Sequence, residues 1–159
     1  MEELRPGLWT WTGEHPEWTP ELTWGPEVRS YAVQIDEIRV LIDPVLPAPR
    51  ADAVLLTVPW HRRDTDELDL PVLDEPPSGI EARPGYFQEE RVFWLPEHRA
   101  IVVGDSYTDR HEGPLEWATD DPEAPARLRA LLELPFELVL PTHGDVTDRA
   151  AFEASVGVS

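Results

Sequence analysis

The chain has 159 residues, of which 41% are hydrophobic, and it contains no cysteine. This length is typical of one globular domain, and the lack of cysteine excludes disulfides, thiolate metal ligands and a cysteine nucleophile. With 32 acidic and 13 basic residues the formal net charge is −19, which argues against nucleic acids and anionic membranes as partners.

These properties predict a single domain over residues 1–159. The sequence does not begin with a basic segment followed by an apolar stretch. The apolar run at residues 53–60 is far shorter than the roughly 20 residues that span a bilayer. We therefore expect a soluble, cytoplasmic protein.

The first half of the sequence predicts strands and one ordered loop. Residues 7–12 alternate small or polar with large apolar side chains, as a half-buried strand does. Residues 14–26 combine prolines with two tryptophans, which favours an ordered loop. Residues 28–35 and 38–42 predict a hairpin, and the continuous apolar run at 53–58 predicts a buried central strand.

The second half predicts a second sheet and two helices. The acidic, proline-rich residues 64–79 leave room for at most a very short strand at Val72 and Leu73. Asp121, Pro122 and an apolar stripe predict a helix that ends at Pro135. A closing helix over residues 148–156 would be capped by Thr147 or Asp148. Further short strands are predicted at residues 80–84, 91–95, 100–103 and 137–140.

Polar side chains that can bind metal follow four of the predicted strands. The side chains that end neighbouring strands can converge at one edge of a sheet, which is where functional sites are commonly built. The four segments are Leu41-Ile42-Asp43-Pro44, residues 55–64 with His61 and Asp64, Val102-Val103-Gly104-Asp105, and residues 139–144 with Pro141-Thr142-His143-Gly144.

In order and wording these segments resemble the metallo-β-lactamase-fold hydrolases. In that family a strand ends in Asp, another ends in Thr-His-x-His-x-Asp-His, a third is followed by Gly-Asp and a fourth by Gly-His or His-Gly. The resemblance extends over about residues 28–156. It implies an α/β fold, a four-layer αββα sandwich of reduced size in which two mixed sheets are flanked by helices.

The second segment departs strongly from the family motif. Aligned without a gap from Thr57, the four ligand positions fall on residues that cannot bind zinc: Val58, Trp60, Arg62 and Arg63. With one inserted residue, His61 takes the position of the second His and Asp64 that of the last His. The family's third His would fall on Tyr86.

The other two segments match better. Asp105 corresponds to the bridging Asp of the family, and His143 corresponds to its last ligand. The resemblance therefore implies that His61, Asp64, Asp105 and His143 could form one site for zinc, iron or manganese, with Asp105 and His143 as catalytic residues. Because two arginines would lie in or near such a pocket, the interpretation without bound metal is preferred.

Arg62 and Arg63 have two interpretations that the sequence leaves open. Their guanidinium groups could replace the metal charge and contact an anion or substrate. Alternatively, they form surface ion pairs with Asp64, Asp66 and Glu67.

The remaining candidates have minor expected roles. Asp43 is expected to cap the turn after its strand and to support the pocket from behind. His15, His98 and His111 are expected to be solvated, although His111 follows Asp105 closely enough to be considered for the pocket.

Two functions from different classes follow. The first is a divergent hydrolase-like protein with a reduced or altered metal site and an unknown substrate. The second is a non-catalytic module of the same fold that binds a small anionic ligand or a protein partner through an arginine-lined pocket. A small molecule is the expected ligand, and a homodimer formed through the tryptophan-rich N-terminal segment is a further expectation.

Overall fold

The computed structural model describes residues 1–108 and 121–157. The chain divides into two compact units, Met1–Ser78 and Gly79–Ser159, which are described separately. The single domain expected over residues 1–159 stays a prediction. His111, considered above for the pocket, lies outside the described residues.

The first unit is built on a mixed sheet of five strands whose spatial order follows the sequence. Neighbouring strands are antiparallel, except that the fourth and fifth are parallel. The first strand was not predicted, because its charged residues lie at the sheet edge with no apolar alternation. The strands are β1 (Glu2–Arg5), β2 (Leu8–Glu14), β3 (Glu27–Ile35), β4 (Ile38–Ile42) and β5 (Ala53–Leu55).

The predicted hairpin and central strand are confirmed, with one difference in length. Asp36 takes a left-handed backbone (φ 52°) in the β3–β4 turn. Strand β5 is fully buried but ends at Leu55, three residues earlier than predicted. Residues 56–58 remain buried after the ladder has ended, and Leu56 packs in the apolar core of this unit.

The loop at residues 15–26 is ordered by its own hydrogen bonds, as predicted. The amide of His15 donates to the carbonyl of Pro26 (2.8 Å), and the Trp18 indole donates to the carbonyl of Trp24 (2.8 Å). The His15 ring packs edge-on against the Trp24 ring. These contacts hold the two tryptophans together without a strand or helix.

The helical elements of Met1–Ser78 are two 3₁₀ turns, Pro59–Arg62 and Thr65–Leu68. The short strand considered at Val72 and Leu73 is reduced to an isolated bridge between Val54 and Val72. The segment after β5 is therefore held mainly by turns.

The second unit repeats this arrangement with a mixed five-stranded sheet, in the order β10-β9-β8-β7-β6. All neighbours are antiparallel except β8 and β9. Four strands were predicted to within one residue at their starts, whereas β10 was missed because it has only two residues. The strands are β6 (Glu81–Pro84), β7 (Arg91–Leu95), β8 (Ala100–Thr108), β9 (Leu138–His143) and β10 (Thr147–Asp148).

The described part of this unit contains two α-helices, α1 (Ala124–Ala130) and α2 (Arg149–Ser155). Helix α1 begins after Glu123, later than predicted, because Asp121 accepts from the Glu123 amide in the preceding turn (3.0 Å). Asp148 caps α2 by accepting from the Ala151 amide (2.9 Å). Of the two predicted capping residues, Thr147 and Asp148, the second is therefore confirmed.

Both helices contribute to the apolar core of the second unit, where Leu128 and Phe152 are buried. One expectation for this unit is wrong, since His98 is buried in a 3₁₀ turn between β7 and β8 rather than solvated. None of the helices in the described part of the chain combines the length and hydropathy that a membrane span requires.

Candidate functional site

Asp43 is the centre of a buried polar cluster in the first unit. It directly follows β4 and has a left-handed backbone (φ 49°), a conformation that Asp tolerates better than most residues. Its amide donates to the carbonyl of Leu55 (3.1 Å), and only 1% of the residue is exposed. The parallel pairing of β4 with β5 therefore points Asp43 toward the residues that follow β5.

The Asp43 carboxylate accepts from both Thr57 and His61. Oδ1 accepts from the Thr57 amide (2.8 Å), while Oδ2 contacts the Thr57 hydroxyl (2.5 Å) and Nδ1 of His61 (2.9 Å). The backbone carbonyl oxygen of Asp43 accepts from the Ser30 hydroxyl (2.6 Å) and from Nη1 of Arg63 (2.7 Å). Every backbone and carboxylate polar atom of Asp43 thus has a hydrogen-bond partner.

These contacts set the charge state of the pair. Burial alone would raise the pKa of Asp43, but the charge and hydrogen bond of His61, the charge of Arg63 and the hydrogen bond of Thr57 outweigh burial. The pKa of Asp43 consequently lies below its ordinary value. Asp43 is therefore ionised near neutral pH.

An ionised carboxylate only accepts hydrogen bonds, so Nδ1 of His61 carries the proton in this pair. When the imidazole is neutral, its lone pair is then on Nε2. This pattern, with a carboxylate on one ring nitrogen, is the usual way in which a metal-binding His is oriented. His61 itself is buried, with 3% of the residue exposed.

The other residues of the segment that departs from the family motif have different environments. Nε of Arg62 donates to Oδ1 of Asp66 (2.9 Å) at the surface, which is the contact that the surface interpretation predicts. Arg63 instead contacts the Asp43 carbonyl, as described above. Asp64 accepts from the Leu46 amide through Oδ2 (2.9 Å). Trp60, directly before His61, is 47% exposed.

Asp105 and His143 form a second acid–imidazole pair, within the second unit. The parallel strands β8 and β9 carry these two residues. Val103 pairs with Pro141, and after an irregular stretch of β8 that contains Asp105, Thr108 pairs with His143. Oδ1 of Asp105 lies 3.4 Å from Nε2 of His143, and the two side chains are 20% and 30% exposed. The structure thus brings together the two residues that matched the family best.

Tyr86, at the position of the family's third His, cannot serve as an imidazole ligand. It is 4% exposed and belongs to the apolar core of the second unit. Its ring packs edge-on against Phe87. An aromatic core residue has therefore taken a position where the family has a ligand.

Comparison with known proteins identifies the fold. No family model matches the sequence, and no curated protein matches it. Among solved structures, the metallo-β-lactamase FIM-1 from Pseudomonas aeruginosa in its mono-zinc form aligns with a TM-score of 0.65 and 15% identity, covering 97% of this chain and 91% of that chain. The metallo-β-lactamase from Pontibacter korlensis aligns with a TM-score of 0.68 and 15% identity, covering 99% and 96%. A metallo-β-lactamase from Erythrobacter litoralis reaches 0.65 at 14% identity, covering 96% and 88%.

The chain therefore has the metallo-β-lactamase fold. The predicted fold class is confirmed, with two mixed five-stranded sheets and few helices among the described residues of this 159-residue chain. At this level of identity the likeness defines the fold alone. The assignment of His61, Asp64, Asp105 and His143 to one metal site stays a prediction.

Two contributors to these clusters were missed at the sequence level. Thr57 has no role in the sequence-based prediction, yet its amide and its hydroxyl both bind the Asp43 carboxylate. Glu90 is a buried carboxylate (2% exposed) that accepts from the amide of Ser106, next to Asp105 (2.9 Å). Nothing in the local sequence distinguishes Glu90 from the exposed Glu89 before it.

Proposed function

We propose that this protein is a divergent hydrolase-like member of the metallo-β-lactamase-fold proteins, with a reduced or altered metal site that includes Asp105 and His143. The observation that carries the proposal is the partly exposed Asp105–His143 pair beside two parallel strands. Both side chains of the pair are accessible to a ligand, since 20% of Asp105 and 30% of His143 is exposed.

The donor atoms suit a metal ion. Carboxylate oxygen and imidazole nitrogen are ligands that zinc, iron and manganese share. Asp105 and His143 would hold the ion, and the family resemblance adds His61 and Asp64 as further predicted ligands. A bound zinc ion would supply a hydroxide nucleophile near neutral pH by lowering the pKa of water.

The chain's own residues would then have distinct tasks. Asp43 holds His61 in one ring orientation with its proton on Nδ1, which leaves Nε2 as the basic atom of the neutral ring. Asp105 supplies negative charge that favours a cation beside His143. The bond hydrolysed could be an ester, thioester, amide or phosphodiester, because fold analogy does not select among these substrates.

Metal analysis of untagged protein tests the proposal. The protein is purified and dialysed without added metal, and its zinc, iron and manganese are measured by mass spectrometry. We expect about one equivalent of metal in the wild type. His143→Ala should lose it, and His15→Ala, which removes a partly buried imidazole elsewhere, should retain it. His61→Ala and Asp64→Asn then test the two ligands that rest on the resemblance.

The alternative function makes the opposite prediction. If wild-type protein prepared in this way and then supplied with zinc binds none, the metal-dependent proposal is wrong. Binding of inorganic phosphate, lost in Arg63→Gln, would then support the anion-binding module. The small-molecule ligand, the homodimer, the cytoplasmic location and the absence of nucleic-acid and membrane partners stay predictions.

A further inference from the structure

Strand β8 is irregular at the point where Asp105 lies. Val103 pairs with Pro141 and Thr108 with His143, so five steps along β8 match only two along β9. The extra residues of β8 form a bulge, which interrupts the ladder of hydrogen bonds between the strands. The direction of the Asp105 side chain therefore depends on whatever holds this bulge.

The buried carboxylate of Glu90 holds the β8 bulge in place. Oε2 accepts from the Ser106 amide (2.9 Å), and Oε1 contacts the Tyr86 amide (3.3 Å). The Ser106 hydroxyl also accepts from the Tyr86 amide (3.0 Å), which closes a small network between the β6–β7 turn and the bulge. Glu90 thus binds the residue immediately after Asp105.

The β6–β7 turn is shaped to accommodate this carboxylate. The Gly85 amide donates to the Glu90 carbonyl (3.1 Å), and a Cβ at position 85 would lie 2.1 Å from Oε1 of Glu90. From the other side, Nε of Arg127 donates to the Gly85 carbonyl (2.8 Å) and Nη2 donates to the Tyr86 carbonyl (2.5 Å). The carboxylate therefore lies against a turn whose position is fixed.

Burying a carboxylate in a core is unfavourable, because desolvating a charge costs free energy, whereas burying an apolar group is favourable. Fixed hydrogen bonds to the charged form compensate part of that cost and add geometric precision. Metal and catalytic sites depend on such supporting contacts to orient the groups that bind the ligand.

We infer that Glu90 is a positioning residue for Asp105: its carboxylate fixes the β8 bulge through the Ser106 amide and so sets the distance between Asp105 and His143. This inference rests on the proposed function for its purpose, but the geometric claim concerns the metal-free protein. It assigns no contact between Glu90 and a metal or substrate.

The test compares Glu90→Gln with Glu89→Gln, an exposed neighbour of the same chemistry. In metal-free protein, NMR should show at least tenfold faster hydrogen exchange at the Ser106 amide in Glu90→Gln. The His143 ring signals should shift in the same variant. Exchange at Ile101, in the regular part of β8, should stay unchanged, and Glu89→Gln should resemble the wild type. Unchanged His143 signals in folded Glu90→Gln would overturn the inference.

A double-mutant cycle with Asp105→Asn separates positioning from general stability. Glu90→Gln should weaken zinc binding by about 10- to 100-fold in the wild-type background and have no further effect in the Asp105→Asn background. An equal loss in both backgrounds would show that Glu90 does not act through Asp105, and the inference would be wrong.

Two remaining outcomes are also decisive. If the wild type binds no zinc, the proposed function fails, and the exchange and His143 signals alone decide the inference about Glu90. If Glu90→Gln does not fold, Ser106→Ala, which removes one link of the network, should shift the His143 signals by a smaller amount. The absence of that shift would overturn the inference.

Discussion

Each of the two units carries an Asp–His pair close to the one pair of parallel strands in its sheet. In each unit an antiparallel series of strands is followed by a strand that pairs in parallel, β4 with β5 and β8 with β9. Asp43 directly follows β4 and Asp105 lies in the second half of β8, whereas His61 lies in the 3₁₀ turn after β5 and His143 is the last residue of β9. Asp43 and His61 form one pair, and Asp105 and His143 form the other.

The two pairs differ in distance and exposure. Asp43 and His61 are 2.9 Å apart, with side chains 2% and 3% exposed, whereas Asp105 and His143 are 3.4 Å apart and 20% and 30% exposed. A buried pair whose polar atoms are bonded to the protein mainly orients its own groups and stabilises the unit. A longer, accessible pair retains surface on which a ligand can bind. Similar topology has thus produced one buried pair, in which Asp43 orients His61, and one accessible pair.

Asp43→Asn should have the largest effect on stability. The change leaves a neutral amide against His61 and removes the charge-assisted bonds from Thr57 and His61, so we expect a loss of about 3 kcal/mol. Asn also tolerates the left-handed backbone at this position, so the loss would report the carboxylate rather than strain. Urea unfolding at pH 7 measures it.

The effect should depend on pH in a defined direction. Because the pKa of Asp43 is lowered in the folded protein, its charge stabilises the fold above the unfolded-state pKa of about 3.9. That stabilisation is lost as the pH falls through the lower folded-state pKa. The difference between wild type and Asp43→Asn should therefore shrink below about pH 4.

Asp36→Asn provides the matched control, since Asp36 is exposed and has a similar backbone conformation (φ 52°). We expect its unfolding midpoint to equal that of the wild type. If Asp36→Asn and Asp43→Asn were equally destabilising, the backbone and not the buried cluster would be responsible.

The sequence predicted the strands around both pairs because each strand has a clear apolar pattern. Residues 28–35 and Ile38–Ile42 are separated by two acidic residues, and the buried runs before Asp105 and His143 are continuous. The edge strand β1 lacks such a pattern, and β5 is shorter than its apolar run because burial continues after the ladder ends. The apolar pattern of a sequence therefore predicts which residues are buried more directly than it predicts which residues join the hydrogen-bond ladder of a sheet.

The candidate site was predicted only in part. Asp105 and His143 were recognised because their short motifs follow strands directly. The partners of Asp43 could not be identified, since the turn from Thr57 to His61 depends on the local 3₁₀ geometry. Glu90 was missed because its role depends on contacts with Ser106, 16 residues away, which no local pattern encodes.

Gly85→Ala should have an intermediate effect on stability. It tests how firmly the β6–β7 turn and Glu90 hold the second pair, Asp105 and His143. The added methyl group would overlap the Glu90 carboxylate, which then has to move or force the turn apart. We expect a loss of about 1–3 kcal/mol, the usual cost of overpacking. Thermal unfolding measures it.

Gly25→Ala is the control for this change, because no atom lies within 4 Å of a Cβ built at Gly25. It should leave the midpoint unchanged or raise it slightly, through the lower entropy of the unfolded chain. A neutral Gly85→Ala would mean that the turn beside the bulge yields easily, and Glu90 would then not hold it firmly.

Asp105→Asn should have the smallest effect on stability and is the sharpest contrast with Asp43→Asn. Asp105 is partly exposed and its contact with His143 is long, so we expect a change within about 0.5 kcal/mol in metal-free protein. Under the proposed function the same variant should bind zinc more weakly than the wild type, which titration of that sample with zinc measures. A loss of stability as large as that of Asp43→Asn would contradict the comparison, because both pairs would then be structural and the accessible one would no longer mark a binding site.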